Sequence, residues 1–107
     1  MSIAAIDDPI LKRFRAALDK LYGEQIERVV LYGSRARGDA RQDSDYDVAV
    51  FLRNPGPLSD DLHRLADAET DILYDTGAVI NALPLAAGSY RERTGFMHEL
   101  RRDGLDL

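Results

Sequence analysis

Cysteine is absent from this 107-residue sequence, which excludes disulfides, thiolate catalysis and cysteine-ligated zinc. Long apolar runs are absent too: none approaches the ~18 residues that a membrane-spanning helix requires. The opening residues Met1-Ser2-Ile3-Ala4-Ala5-Ile6-Asp7-Asp8 lack the basic and long apolar regions of a secretion signal, so the expectation is a soluble cytoplasmic protein. Basic residues are in deficit, 14 Lys+Arg against 19 Asp+Glu, for a net charge of −5. That balance speaks against a broad basic surface for nucleic acid and leaves room only for a local basic pocket. Internal repeats, low-complexity tracts and linkers are also missing. The only loose stretch is Arg53-Asn54-Pro55-Gly56-Pro57. What remains is ordinary globular composition, 45% hydrophobic and 31% charged. A chain of this length buries roughly 60 to 70% of its unfolded surface, so residues 1–107 read as one domain without a separate substrate-selecting unit.

The pattern along the chain alternates helix and strand. Asp8-Pro9 is a helix start, followed by Ile10, Phe14, Ala17, Leu18 and Leu21 at helical spacing, with Gly23 as the stop. Val29 to Tyr32 and Tyr46 to Leu52 read as strands. Ser59 is the expected cap of a helix with Leu62, Leu65, Ala66, Glu69, Ile72 and Leu73 on one face, ending at Gly77. Ala78 to Leu83 is the expected third strand, stopped by Pro84. Ser89-Tyr90-Arg91-Glu92 fits a capping box before a last helix to about Asp103, on which Tyr90, Phe96, Met97 and Leu100 form an apolar stripe. The expected fold is α/β (α+β): a small mixed β-sheet of three to four strands with helices packed on it.

The chemistry concentrates between Gly33 and Asp47, where a strand ends and a helical turn follows. At such a junction glycine lets the backbone approach a ligand, and free N–H groups favour an anion. Ser34 adds a hydroxyl suited to a phosphate oxygen, and Arg35 and Arg37 add positive charge. The segment is not a Walker A loop, because Asp39-Ala40 stands where Lys-Ser/Thr is needed. It is not a dinucleotide fingerprint either, since Arg35 replaces the second glycine. Asp45 and Asp47 sit two apart on a strand, on one face, with Cα atoms about 6.5 Å apart. Carboxylates so placed can share hard cations such as Mg²⁺, while Tyr46, Val48 and Val50 face the other way into packing. Asp-x-Asp alone is weak, since a chain this rich in aspartate holds about 1.8 such triplets by chance and two are present. Its spacing from Gly33-Ser34 carries the weight.

Gly-Ser, ten residues, then Asp-x-Asp resembles the signature of the polymerase-beta-like nucleotidyltransferase superfamily. With Ser34-Arg35-Ala36-Arg37-Gly38-Asp39 and Ser44-Asp45-Tyr46-Asp47-Val48 the segment is similar to the minimal nucleotidyltransferase (MNT) family. The resemblance implies the polymerase-beta-like fold and transfer of a nucleoside monophosphate, usually AMP from ATP, to a protein or other hydroxyl acceptor. By the same resemblance Gly33 and Ser34 hold the triphosphate, and Asp45 and Asp47 ligate two Mg²⁺ ions. Members of the family are paired with HEPN-type toxins, so an antitoxin role with a HEPN-like partner is implied.

The sequence departs from the pattern at the third carboxylate, which the superfamily carries on a later strand. Here the third strand offers only Asn81, and Asp71 and Asp75 are the acids nearest in sequence. That departure motivates the competing reading, a catalytically weak or inactive nucleotide-binding antitoxin module acting by partner binding alone. A homo-oligomer is compatible with either. Arg35 and Arg37 have an alternative as solvated helix charges, and Asp39 and Asp43 read as loop and cap residues. His63 and His98, without partner spacing, read as surface histidines, and Arg91, Arg93, Arg101 and Arg102 as a solvated face.

Overall fold

The computed structural model describes residues 7–107; the amino-terminal residues 1–6, on which part of the secretion-signal reading rests, lie outside the described residues. Helix α1 (Pro9–Tyr22) begins where expected, with the Asp8 carboxylate accepting the Ile10 N–H at 2.8 Å. It stops at Gly23, whose φ of 54° suits glycine. Strand β1 (Ile26–Tyr32) leads into a four-residue helix α2 (Ser34–Arg37), then strand β2 (Tyr46–Leu52) and helix α3 (Leu58–Thr76). Strand β3 (Ile80–Ala86), helix α4 (Gly95–Asp103) and the two-residue strand β4 (Leu105–Asp106) complete the chain.

The sheet order is β3-β2-β1-β4, with β2 antiparallel to β1, β4 antiparallel to β1 and β3 parallel to β2. A mixed sheet of four strands with helices on it is the α+β arrangement expected. Alternation along the strands splits the core in two. Val29, Leu31, Val48, Val50 and Ile80 pack with Phe14, Leu18, Leu65 and Ile72 from α1 and α3. Val30, Ala49 and Phe51 face the other way and pack with Met97 and Leu100 of α4.

Four boundaries differ from expectation. Strand β1 starts at Ile26, three residues ahead of Val29, because Ile26 and Arg28 still pair with Leu52 and Phe51 of β2. Helix α3 starts at Leu58, ahead of Ser59, because the Pro57 carbonyl takes the N–H groups of Asp60 and Asp61 at 3.0 and 3.2 Å. Strand β3 starts two residues after Ala78 and runs through Pro84. Pro84 is tolerated because β3 is an edge strand. The Ala82 N–H, two residues earlier, points away from β2 to the Glu69 carboxylate at 3.0 Å, so the free side is the one on which Pro84 lacks a donor. The Ser89–Glu92 capping box does not start the last helix. Residues Ala87–Arg91 form a 3₁₀ turn that lays Tyr90 edge-on against Phe51, and Thr94 caps α4 through the Met97 N–H at 3.1 Å. No helix among the described residues is long and apolar enough to cross a membrane.

Candidate active site

Strand β1 ends at Tyr32, and the chain leaves the sheet through Gly33 at φ 74°, ψ −156°, a backbone region reserved for glycine. Space makes the same demand, since a Cβ on Gly33 would lie 2.6 Å from Asp47 Oδ2. Gly33 then caps α2, its carbonyl receiving the Ala36 and Arg37 N–H groups at 3.1 Å. Gly38 ends that turn in the left-handed conformation, and the chain returns through residues 39–45 to β2. The turn therefore sits directly against the Asp47 carboxylate.

Asp47 stands opposite Tyr32 of β1 and Asn81 of β3 in the ladder. Tyr46, Val48 and Val50 all enter the core on the other face, as the alternation predicts. Asp45 precedes the strand, is exposed, and accepts a hydrogen bond from Asn81 Nδ2 at 3.0 Å. The Asn81 amide also acts on Asp47, so it serves both carboxylates. Burial holds the Asp47 carboxyl above its ordinary range; the Asn81 amide opposes this, the Asp45 charge reinforces it, and the Arg37 guanidinium opposes it. Such an acid is stabilised in its charged form by a cation.

The match to known sequences bears on this segment directly: a family model described as "Nucleotidyltransferase domain" covers residues 11–94. The chain belongs to the nucleotidyltransferase family. A Methanocaldococcus jannaschii relative named "Putative protein adenylyltransferase" is 34% identical over 77 residues, spanning 72% of this chain and 71% of its own. Among solved structures, a toxin–antitoxin crystallised with AMP-PNP superposes with a TM-score of 0.65 at 13% identity, over 89% of this chain and 69% of that one. A "putative minimal nucleotidyltransferase" superposes with a TM-score of 0.59 at 23% identity, over 90% of each chain. At those identities the structural likeness speaks for the fold.

Within this nucleotidyltransferase the structure separates the three candidates for a further ligand. Asn81 lies at the acid pair. Asp75 pairs instead with Arg13 of α1 at 2.6 Å, and Asp71 is exposed on α3, the helix packed on the opposite face of the sheet. Among the described residues, no group of three or more His, Asp or Glu side chains converges as a metal cage. His63 and His98 are both exposed.

The two arginines do different things. Arg37 pairs with Asp39 at 3.3 Å and Glu99 at 3.7 Å while its charge reaches Asp47. Arg35 turns away to the carbonyls of Arg41, Gln42 and Ser44 and lies over the Tyr46 ring. Sequence reasoning missed one wall of the site. Tyr32 packs edge-on against Phe96 at 5.3 Å, and its phenol is pushed up by burial first, then by Asp47 and Glu99. Tyr32 was findable as the residue just before Gly33. Phe96 and Glu99 were not, since nothing in their spacing points at Asp47, 49 and 52 positions earlier.

Proposed function

We propose that this nucleotidyltransferase transfers AMP from ATP to a hydroxyl of a partner protein, and that the partner is a HEPN-type toxin which the transfer silences. Asp45 and Asp47 are the proposed catalytic acids. The observation that carries the proposal is the Asp45/Asp47 pair with its partly buried, cation-seeking carboxyl, set against the Gly33-Ser34 turn. The name of the Methanocaldococcus jannaschii relative supports a protein acceptor, and the toxin–antitoxin neighbour with AMP-PNP supports the nucleotide and the setting.

The acid pair fits Mg²⁺: two carboxylates are hard ligands, Asp47 is held where a positive charge relieves it, and the Asn81 amide presents its N–H to the pair. When bound there, Mg²⁺ would supply charge compensation at the phosphates and lower the barrier to losing the acceptor's proton. The remaining work is positioning. Gly33 and Ser34 hold the triphosphate at the turn, where the absence of a Cβ lets the backbone come close. Arg37 contributes positive charge beside Asp47. Tyr32 and Phe96 form an apolar wall. The acceptor hydroxyl then gives its proton to solvent water, its oxygen bonds to the α-phosphorus, and the bond from that phosphorus to the bridging oxygen breaks as pyrophosphate leaves.

Intact-mass measurement tests this. The protein encoded beside this chain, incubated with the chain, ATP and Mg²⁺, is expected to gain AMP, and Asp45→Asn is expected to abolish the gain. A second reading, neutralisation by binding alone, is favoured by one observation: Asn81 stands beside the two acids where a third carboxylate would complete the site. No adduct, with Asp45→Asn still neutralising the partner, would establish that reading instead.

A further inference from the structure

Asp45 sits at the end of a loop that the hydrophobic core does not hold. Residues 41–43 and Asp45 are exposed, and none of residues 39–45 belongs to either core cluster. Ser44 Oγ closes the loop on the Arg41 N–H at 2.8 Å and Asn81 Nδ2 meets the Asp45 carboxylate at 3.0 Å, but the side chain with the most bonds to the loop is Arg35. Arg35 Nε donates to the Ser44 carbonyl at 3.0 Å, and Nη2 donates to the same oxygen at 2.7 Å, to Gln42 O at 3.1 Å and to Arg41 O at 3.4 Å. The guanidinium carbon lies over the Tyr46 ring, 3.9 Å from its centroid. Arg35 thus grips the residue before Asp45 by its carbonyl and the residue after it by its ring.

Tyr46 is itself anchored. Its hydroxyl donates to Asp8 Oδ2 at 2.7 Å, while the other oxygen of Asp8 caps α1, and its backbone N–H donates to Val79 O at 2.9 Å. The chain of contacts therefore runs from the start of α1 through Tyr46 and Arg35 to the loop. Arginine is the residue type this needs: a planar fork that spans several carbonyls and stacks at the same time, which an ammonium cannot do. Those carbonyls engage Nε and Nη2, one forked edge of the guanidinium, and turn that edge to the loop.

We propose that Arg35 is a positioning residue: it pins the 41–45 loop so that the Asp45 carboxylate stands beside Asp47, and it does not bind the triphosphate. This rests on the reading of Asp45 as a cation ligand. The sign of one effect separates the alternatives. Removing a positive charge near a cation site tightens cation binding by simple Coulomb attraction. Losing the pin scatters Asp45 and weakens it.

The experiment uses Mn²⁺ as the probe, titrated by electron paramagnetic resonance into the wild-type chain, Arg35→Ala, Arg35→Lys, Tyr46→Phe and Asp45→Asn. Amide exchange over residues 41–45 and ATP affinity in EDTA are measured alongside. Loss of an outer-shell partner typically weakens metal binding roughly 10- to 100-fold. Arg35→Ala is expected to do so, to speed exchange at 41–45 and to leave metal-free ATP affinity unchanged. Arg35→Lys is expected not to rescue it, and Tyr46→Phe, which cannot touch phosphate through a lost charge, to shift Mn²⁺ in the same direction. Arg35→Ala with unchanged or tighter Mn²⁺ and weaker metal-free ATP overturns the proposal and makes Arg35 a phosphate ligand. A wild-type chain that binds Mn²⁺ no better than Asp45→Asn overturns the reading of Asp45, and the proposal with it, whatever Arg35→Ala does.

Discussion

Asp47 shows at the scale of one residue how a site costs stability. Its carboxyl is raised above the ordinary value of 3.8, so the folded chain holds that proton more tightly than the unfolded chain. The stability linked to that proton is present below about pH 3.8 and lost as pH rises through the folded value. At neutral pH the metal-free chain therefore carries an ionised acid it has partly desolvated. Asp47→Asn is expected to raise the melting temperature of the metal-free chain at pH 7, with the gain fading toward pH 4, while transfer is lost. Melting followed across pH in EDTA checks it. Gly33 is the complementary case. Gly33→Ala meets both a glycine-only backbone and the Asp47 oxygen at 2.6 Å. Chemical denaturation should show a loss of about 1–3 kcal/mol from the backbone strain alone, with displaced Asp47 removing activity as well. Both residues were legible in the sequence as types at a spacing. Their contact was not, because it depends on β1 and β2 lying side by side.

At the scale of the element, the central strand β2 was read more faithfully than the starts of the last two helices. Alternation of apolar residues over 46–52 has one physical cause, a sheet covered on both faces, and the structure keeps it residue for residue. Helix starts depend on which nearby group reaches the first N–H donors. Pro57 and Thr94 won over Ser59 and Ser89, a competition settled by where the preceding loop delivers the chain. The start of α3 also buries Asp61, only 2% exposed, which accepts a hydrogen bond from Tyr22 of α1 at 3.0 Å. Burial, with that bond and the Asp61 charge, pushes the Tyr22 phenol up to about 12. Tyr22→Phe leaves a buried carboxylate without its donor and is expected to cost about 1–3 kcal/mol by urea denaturation. The wild-type chain should lose this part of its stability as pH rises from 10 toward 12, the unfolded phenol ionising first.

At the scale of the whole molecule, the decisive event is the parallel pairing of β3 with β2, which sets Asn81 beside acids 34 and 36 positions earlier. A carboxylate there would add a third negative charge, and a neutral amide instead donates to the pair. Asn81→Asp is therefore expected to bind Mn²⁺ more tightly while lowering the melting temperature in EDTA, because three acids then repel. Thermal melting with and without Mn²⁺ checks both halves, and a variant that neither tightens Mn²⁺ nor melts earlier would remove Asn81 from the site. The far edge of β3 is guarded against strand addition by Glu69 and Pro84, so a partner meets side chains there before it meets free backbone. By itself the sequence determined the strands of the sheet centre, the glycine turn and the two aspartates, because each depends on local periodicity or on residue types a few positions apart. Only the tertiary structure decided that Asn81, and neither Asp71 nor Asp75, joins them, that Tyr32 and Phe96 wall the site, and that Arg35 faces a loop. Those contacts are set by strand pairing and helix docking, which carry no signature in local spacing.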